Sequence, residues 1–233
     1  MIASPKNDDD KSELANPLRH PLSTRDRILE VATTEFARHG AAGTRVERIA
    51  AEAKVNIRMI YHYFGSKDDL FIAVLESAYQ AIRDAERQLQ LETVEPIEGM
   101  RRLIRFSWNY YFEHPEFTAL LNSENLQQGR HVSGSQKLAT VHSPLLESLR
   151  ELLLRGERQG VFRAGVDPMQ IYISISGLGY FYVSNRYTLS AMFQRDLIAP
   201  DCLDARLVHI TQMVLAYLRP DPADATGHHK ETK

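Results

Sequence analysis

Between residues 44 and 70 the chain reads TRVERIAAEAKVNIRMIYHYFGSKDDL. Five basic residues (Arg45, Arg48, Lys54, Arg58 and Lys67), two tyrosines and a histidine fall there on helical periodicity. Guanidinium, ammonium and hydroxyl groups so spaced can pair with phosphate oxygens, and a guanidinium can also read a base edge. From Lys54 to Lys67 there is no acidic residue, so a chain of formal net charge -2 carries a local positive face. The whole-molecule charge predicts no general attraction to nucleic acid or membrane, so any attraction must come from such patches.

Other chemistries find little support. No Gly-rich phosphate loop, GxSxG, HExxH or recognisable carboxylate pair occurs, so neither an enzyme nor a cofactor is expected. The single cysteine, Cys202, excludes an intramolecular disulfide and a cysteine-rich metal site. Its neighbours Asp201 and Asp204 disfavour a thiolate. The acidic, polar start MIASPKNDDDK does not resemble a secretory signal, and no apolar run is long enough to span a bilayer. The expectation is a cytoplasmic protein without membrane association.

The elements that must position the basic face are helical throughout. Residues 1–22, with three prolines and Asp8–Asp10, read as a flexible arm, and the tail 220–233 reads the same way, His228 and His229 included. From Ser23, spacings of three and four through Ile28, Val31, Ala32, Phe36 and Ala37 predict a helix closed by Gly40. Thr44 is expected to cap a helix ending near Ala53. A turn at Lys54-Val55-Asn56 leads to a helix over 57–64, and Ser66 caps a longer one fading by Gln90. Further helices are expected at about 97–113, 115–124, 138–159, 168–195 (broken) and 202–218. No strand alternation persists, so the fold class is all-α.

Helices 44–53 and 57–64 have the spacing of a helix-turn-helix. Ile49, Ala53, Val55, Ile60 and Tyr63 fall where its two helices pack, and Ala50 is small where they cross. Arg45, Arg48, Arg58, His62 and Lys67 lie on the outer faces. Such a unit fits B-DNA, its second helix in the major groove and flanking hydroxyls and amides on phosphates. An ordinary αα-hairpin with a solvated basic side shares this spacing.

The segment 23–70 resembles the DNA-binding domain of the tetracycline-repressor family of bacterial regulators. The resemblance rests on EFARHG at 35–40, TRVERIA at 44–50 and the tyrosine-rich IYHYFGSKDDL at 60–70. It implies a capping, phosphate-contacting role for Thr44, a DNA-surface role for Tyr61, and backbone clamps at Tyr63 and Lys67. Arg45, Asn56, Ile57, Arg58, Met59 and His62 then occupy positions that reach bases or phosphates, while Ile49, Ala50 and Phe64 pack. Two departures stand out. Lys54 replaces the family's turn glycine, so either a non-glycine takes positive φ at about 1 kcal/mol or the turn differs. Arg58-Met59 replace small residues, so the operator cannot be copied from relatives.

The resemblance further implies that residues 71–219 form a helical bundle that dimerises and holds a small-molecule pocket. The helices near 168–186 and 202–218 would pair with their copies in a homodimer. ISISGLGYFYVSNRY at 173–187 offers small residues for close approach, and Val208, Ile210, Thr211, Val214, Leu215 and Leu218 form a broad apolar face. For the ligand, WNYYFEHPEF at 108–117 points to Trp108 and Tyr111, with Asn122, His142, Phe181 and Asn185 as further lining. That set suits a flat aromatic ring with one or two polar substituents, although such residues at helical spacing also serve as plain core. SNRYTLSAMF at 184–193 resembles a subgroup tied to catabolism of aromatic or N-heterocyclic acids such as nicotinate, with Arg186 or His142 as counter-charge. The function expected is a ligand-responsive repressor on a palindromic operator. An activator of the same family, or a helical protein-interaction module with a vestigial DNA head, are the alternatives.

Overall fold

The computed structural model describes residues 23–140 and 143–220, the side chain of Ser143 excepted. The expectations for the two termini and for His142, His228 and His229 therefore lie outside the described residues. Every regular element among the described residues is helical.

The head is built from α1 (Thr24–Gly43), α2 (Val46–Glu52) and α3 (Ile57–Phe64). Ser23 starts α1, its Oγ accepting the Asp26 N–H. Ile28, Ala32 and Phe36, four residues apart and fully buried, place one face against the rest of the head. The expected stop at Gly40 is a kink: φ is 67° there and helical turns resume to Gly43. Thr44 caps the end of α1 rather than the start of α2, whose N-cap is Arg45.

Helix α4 (Lys67–Arg87) runs out of the head. Leu70, Phe71, Val74 and Leu75 close the head's core; Ile82 belongs to a second cluster with Tyr110, Tyr111, Phe117 and Val183. The bundle comprises α5 (Pro96–Glu113), α6 (Pro115–Leu126), α7 (Gln136–Thr140), α8 (Ser143–Arg158), α9 (Pro168–Ser184), α10 (Arg186–Phe193) and α11 (Pro200–Leu218). Prolines open α5, α6, α9 and α11, where a missing N–H costs nothing. The expected helix over 138–159 is found as α7 and α8, because Pro144 suits a first turn and not a helix interior. The break expected within 168–195 falls at Asn185.

Helix α5 is the bundle's axis, packed on α8, α9 and α11, while α1 lies chiefly against α6 and α4. Head and bundle share a core, since Leu120 of α6 and Leu138 of α7 are buried among the head's apolar residues. No helix of the described residues is long and apolar enough to cross a membrane.

Candidate nucleic-acid interface and adjoining cavity

Ile60 and Phe64 bury one side of α3 against Ile49, Ala50 and Ala53, which leaves the other side outward. Asn56 starts this helix by accepting the Arg58 N–H at 2.9 Å. Its carbonyl oxygen is thus engaged, and its amide nitrogen is left for an outside partner. Arg45, Asn56, Arg58, Tyr61, His62 and Tyr63 are all exposed. Lys67 sits half-buried at the first turn of α4, its Nζ 3.3 Å from the Ala42 carbonyl. These groups, from the N-cap of α2 through α3 to the first turn of α4, make up the rim.

Three expectations change. Thr44 is only 2% exposed, and its hydroxyl lies against the Glu35 and Gly40 carbonyls at 3.1 and 2.8 Å. Its N–H also goes to Gly40, so both donors serve to fold the α1–α2 corner and neither is left for a phosphate. Tyr63 does not pack between the two helices but is 39% exposed, and Phe64 takes the inward position. Arg48 is on an outer face as expected, and it also lies 3.5 Å from buried Glu35 and 2.8 Å from His39, so it braces α1 against α2. Ile57 and Met59 are half-buried against the head's core and offer only their outer edges.

The departure at Lys54 is met by positive φ, 52°, so the turn geometry is kept and a lysine carries the strain. Arg27 holds that turn by donating from Nε to the Ala53 carbonyl at 2.9 Å. Sequence reasoning missed Arg27, since nothing local links residues 26 positions apart.

Beside the head, α4, α5, α6 and α9 line a cavity of about 450 Å³ that opens to solvent. Tyr79, Ile82 and Arg83 line it from α4, and Tyr111 from α5. Phe117, Leu121 and Asn125 contribute from α6, and Tyr172, Ile173, Ser176, Gly177 and Tyr180 from α9. Burial pushes the Tyr79, Tyr111 and Tyr180 phenols above their usual range. They stay protonated at neutral pH, and the Tyr180 proton is already given to Asn122. Arg83, 4% exposed, is the buried cation of the wall.

Of the expected ligand residues among the described ones, only Tyr111 lines this cavity. Trp108 is core, its ring 4.9 Å from Phe112 and 5.4 Å from Tyr182. Asn122 stands behind the wall, accepting from the Tyr180 hydroxyl and donating to Ser184 at 3.2 Å. Phe181 faces outward at 58% exposure, and Asn185 caps α9 by donating to the Phe181 carbonyl. Arg186 donates to the Val183 carbonyl and lies over the Tyr187 ring, so it is no counter-charge for this cavity. Tyr79 and Arg83 were missed, although a signal exists. They continue the α4 stripe from Leu75 at steps of four, where an apolar helix face turns polar without leaving the interior.

Residues 28–74 match the family described as bacterial regulatory proteins, tetR family, and residues 96–214 match the tetracyclin repressor-like C-terminal domain. The chain is 41% identical over 196 residues to the HTH-type transcriptional repressor NicS of Pseudomonas putida, covering 84% of this chain and 92% of that one. It is 42% identical over 112 residues to the HTH-type transcriptional repressor SCO4008 of Streptomyces coelicolor, 48% of this chain and 54% of the relative. Among solved structures, the fatty acid degradation regulator FadR of Bacillus halodurans shares the fold. Its TM-score is 0.66 at 22% identity, covering 86% of this chain and 99% of that one. With both halves matched and the exposed rim on the second helix of a helix-turn-helix, the chain belongs to the tetracycline-repressor family and is a DNA-binding regulator of transcription, not an enzyme.

Proposed function

We propose that the protein is a repressor that binds a palindromic operator as a homodimer and is released by a small aromatic or N-heterocyclic acid held in the cavity between α4, α5, α6 and α9. The observation that carries this reading is the placement of that cavity. Leu121 and Asn125 of α6 line it, while Leu120 is buried in the head's core. Tyr79 and Arg83 line it from α4, the helix that begins with Lys67 on the rim. A guest therefore touches both helices that set the head's position. Release follows as a population shift, by as much as the acid prefers the arrangement that mismatches operator spacing.

Dimerisation is supported by apolar surface along α9, α10 and α11. Phe181, Tyr187, Met192, Phe193 and Val208 are each more than half exposed, and α10 buries none of its residues. Uncovered apolar area on this scale marks an interface, and a twofold pair of heads reads half-sites about one helical turn apart. Of the small residues on α9, Gly179 is spent inside, with Tyr111 and Trp108 carbons 3.4 to 3.9 Å from where its Cβ would stand, and Gly177 borders the cavity, so neither speaks for the interface.

Selection of bound duplexes from a random pool tests the reading. An inverted repeat is expected, with affinity for it lowered by an aromatic acid. Recovery of no sequence preference, or a stable monomer in sedimentation at micromolar concentration, overturns it.

A further inference from the structure

Arg83 and Glu86, one turn apart on α4, are 4% and 5% exposed, and Arg83 Nη1 lies 2.6 Å from Glu86 Oε2. Arg83 Nη2 donates to the Tyr172 hydroxyl at 2.9 Å. Its Nε and Nη1 make no aligned hydrogen bond, and neither does Glu86 Oε2. The pair is also a partition: Arg83 lines the tyrosine-walled cavity, and both residues line a second one of about 290 Å³ bounded by Arg87, Glu92, Leu145 and Ser148. A buried ion pair contributes little net stability when its remaining donors go unused, because the desolvation cost offsets the attraction. One placed at a cavity wall with spare guanidinium donors is suited to exchange.

We propose that Glu86 stands in for the effector's anionic group: an aromatic acid entering the tyrosine-walled cavity brings its carboxylate to Arg83, and Glu86, displaced from its cation, takes up one proton from solvent through the second cavity. This rests on the reading of the tyrosine-walled cavity as the effector site. The effector class is thereby narrowed to acids over their amides or alcohols, and the counter-charge is Arg83. The step balances as one ion pair exchanged for another plus one proton from water.

Burial holds the Glu86 carboxyl at about 7 even with Arg83 beside it. Sharing Arg83 with a second anion removes attraction, so the carboxyl rises further in the complex. The other groups facing the pair leave that balance to Arg83. Tyr110 and Tyr111 of α5 are held neutral by burial, Tyr110 at about 12. Tyr172 of α9 accepts from Arg83, while Arg87 of α4 is occupied by Asp84. Glu92 is bonded by Ser148 of α8, and Arg155 of α8 donates to the Leu91 carbonyl. Binding then takes up a proton above pH 7, so affinity for an acid falls as pH rises, by at most about tenfold per unit, and is level below about pH 6.

The test is titration calorimetry on the full chain with benzoate, salicylate and nicotinate and their amides, at pH 6, 7 and 8. Running each acid in two buffers of different ionisation enthalpy counts protons on wild-type protein alone. The expected result is binding of at least one acid, rejection of its amide by tenfold or more, and close to one proton taken up at pH 8. Glu86→Gln should bind that acid more tightly at pH 8, with proton uptake and pH dependence lost. Failure of every acid to bind at any pH, an amide bound as tightly as its acid, or binding without proton uptake overturns the exchange. Ser176→Phe, which fills the tyrosine-walled cavity, separates the two readings. Acid binding that lacks proton uptake yet disappears in Ser176→Phe keeps the cavity as effector site and sinks only the exchange. Acid binding that persists in Ser176→Phe sinks both.

Discussion

The Ala41 backbone N–H donates to the Ser123 hydroxyl at 3.0 Å, joining the end of α1 to α6 across 82 residues of chain. The neighbouring Gly40 has φ 67°, and a Cβ there would come 3.1 Å from the same oxygen. The corner thus needs glycine both for its backbone and for this approach. Leu120, Leu121 and Asn125 flank Ser123 on α6, so the helix that lines the cavity also grips the head.

Ser123→Ala should cost about 1 kcal/mol, because a half-buried N–H loses its acceptor. Urea unfolding should show that loss. The ratio of operator affinities without and with the acid should narrow, since α6 then moves with less pull on α1. An unchanged ratio would place the coupling elsewhere, on α4.

Lys54→Gly relieves positive φ at the turn. The relief of about 1 kcal/mol is partly offset by the freer unfolded chain, leaving a net gain of about 0.5 kcal/mol. The urea midpoint should rise with an unchanged slope. A lower midpoint would show that the lysine makes a contact worth more than the strain.

Arg58 and Lys67 should fail differently. On the proposed operator-binding reading, Arg58, exposed near the start of α3, reaches a base edge, so Arg58→Ala should relax preference at one operator position by about 1–3 kcal/mol. Lys67→Ala should weaken all duplexes alike and lower the salt slope by about one counterion. Gel shifts across operator variants and salt concentrations separate the two. Identical effects from both variants would refute the assignment.

Glu86 also links folding to pH. Burial raises its carboxyl from 4.5 to about 7, so the folded chain holds a proton that the unfolded chain has released. Its contribution to stability is therefore present below about pH 4.5, declines as pH rises toward 7, and is level above. The decline is at most about 1.4 kcal/mol per unit. Urea unfolding at pH 5, 6, 7 and 8 should show a falling component that Glu86→Gln removes. An equal slope in the variant would assign it to another group.

Much of the head was legible because its determinants are local. The alternation of Ile28, Ala32 and Phe36, the Ser66 cap and the Ile60/Phe64 spacing each act within one or two turns. Where the local pattern was ambiguous, two readings diverged: spacing put Tyr63 between the helices, the resemblance put Phe64 there, and for adjacent aromatics only tertiary packing decides which turns inward, here Phe64. Thr44 slipped for a related reason. A hydroxyl between two helices can cap either one, and the Glu35 and Gly40 carbonyls were nearer.

The ligand region was legible only as chemistry without an address. Aromatic residues of α5 and α9 promised a cavity, and one exists, but helical spacing does not say which side of α5 meets α4 and which meets α11. Trp108 went to the core and Tyr111 to the cavity on that account. Residue types and short-range periodicity by themselves determined an all-α chain and a basic face on two short helices, because helix formation and capping are contests among near neighbours, while the resemblance of 23–70 to a family separated a helix-turn-helix from a plain αα-hairpin. Tertiary structure alone decided that Arg83 and Glu86 share a buried partition between two cavities, and that Ser123 holds Ala41. Burial and charge pairing there depend on helices brought together from distant parts of the chain.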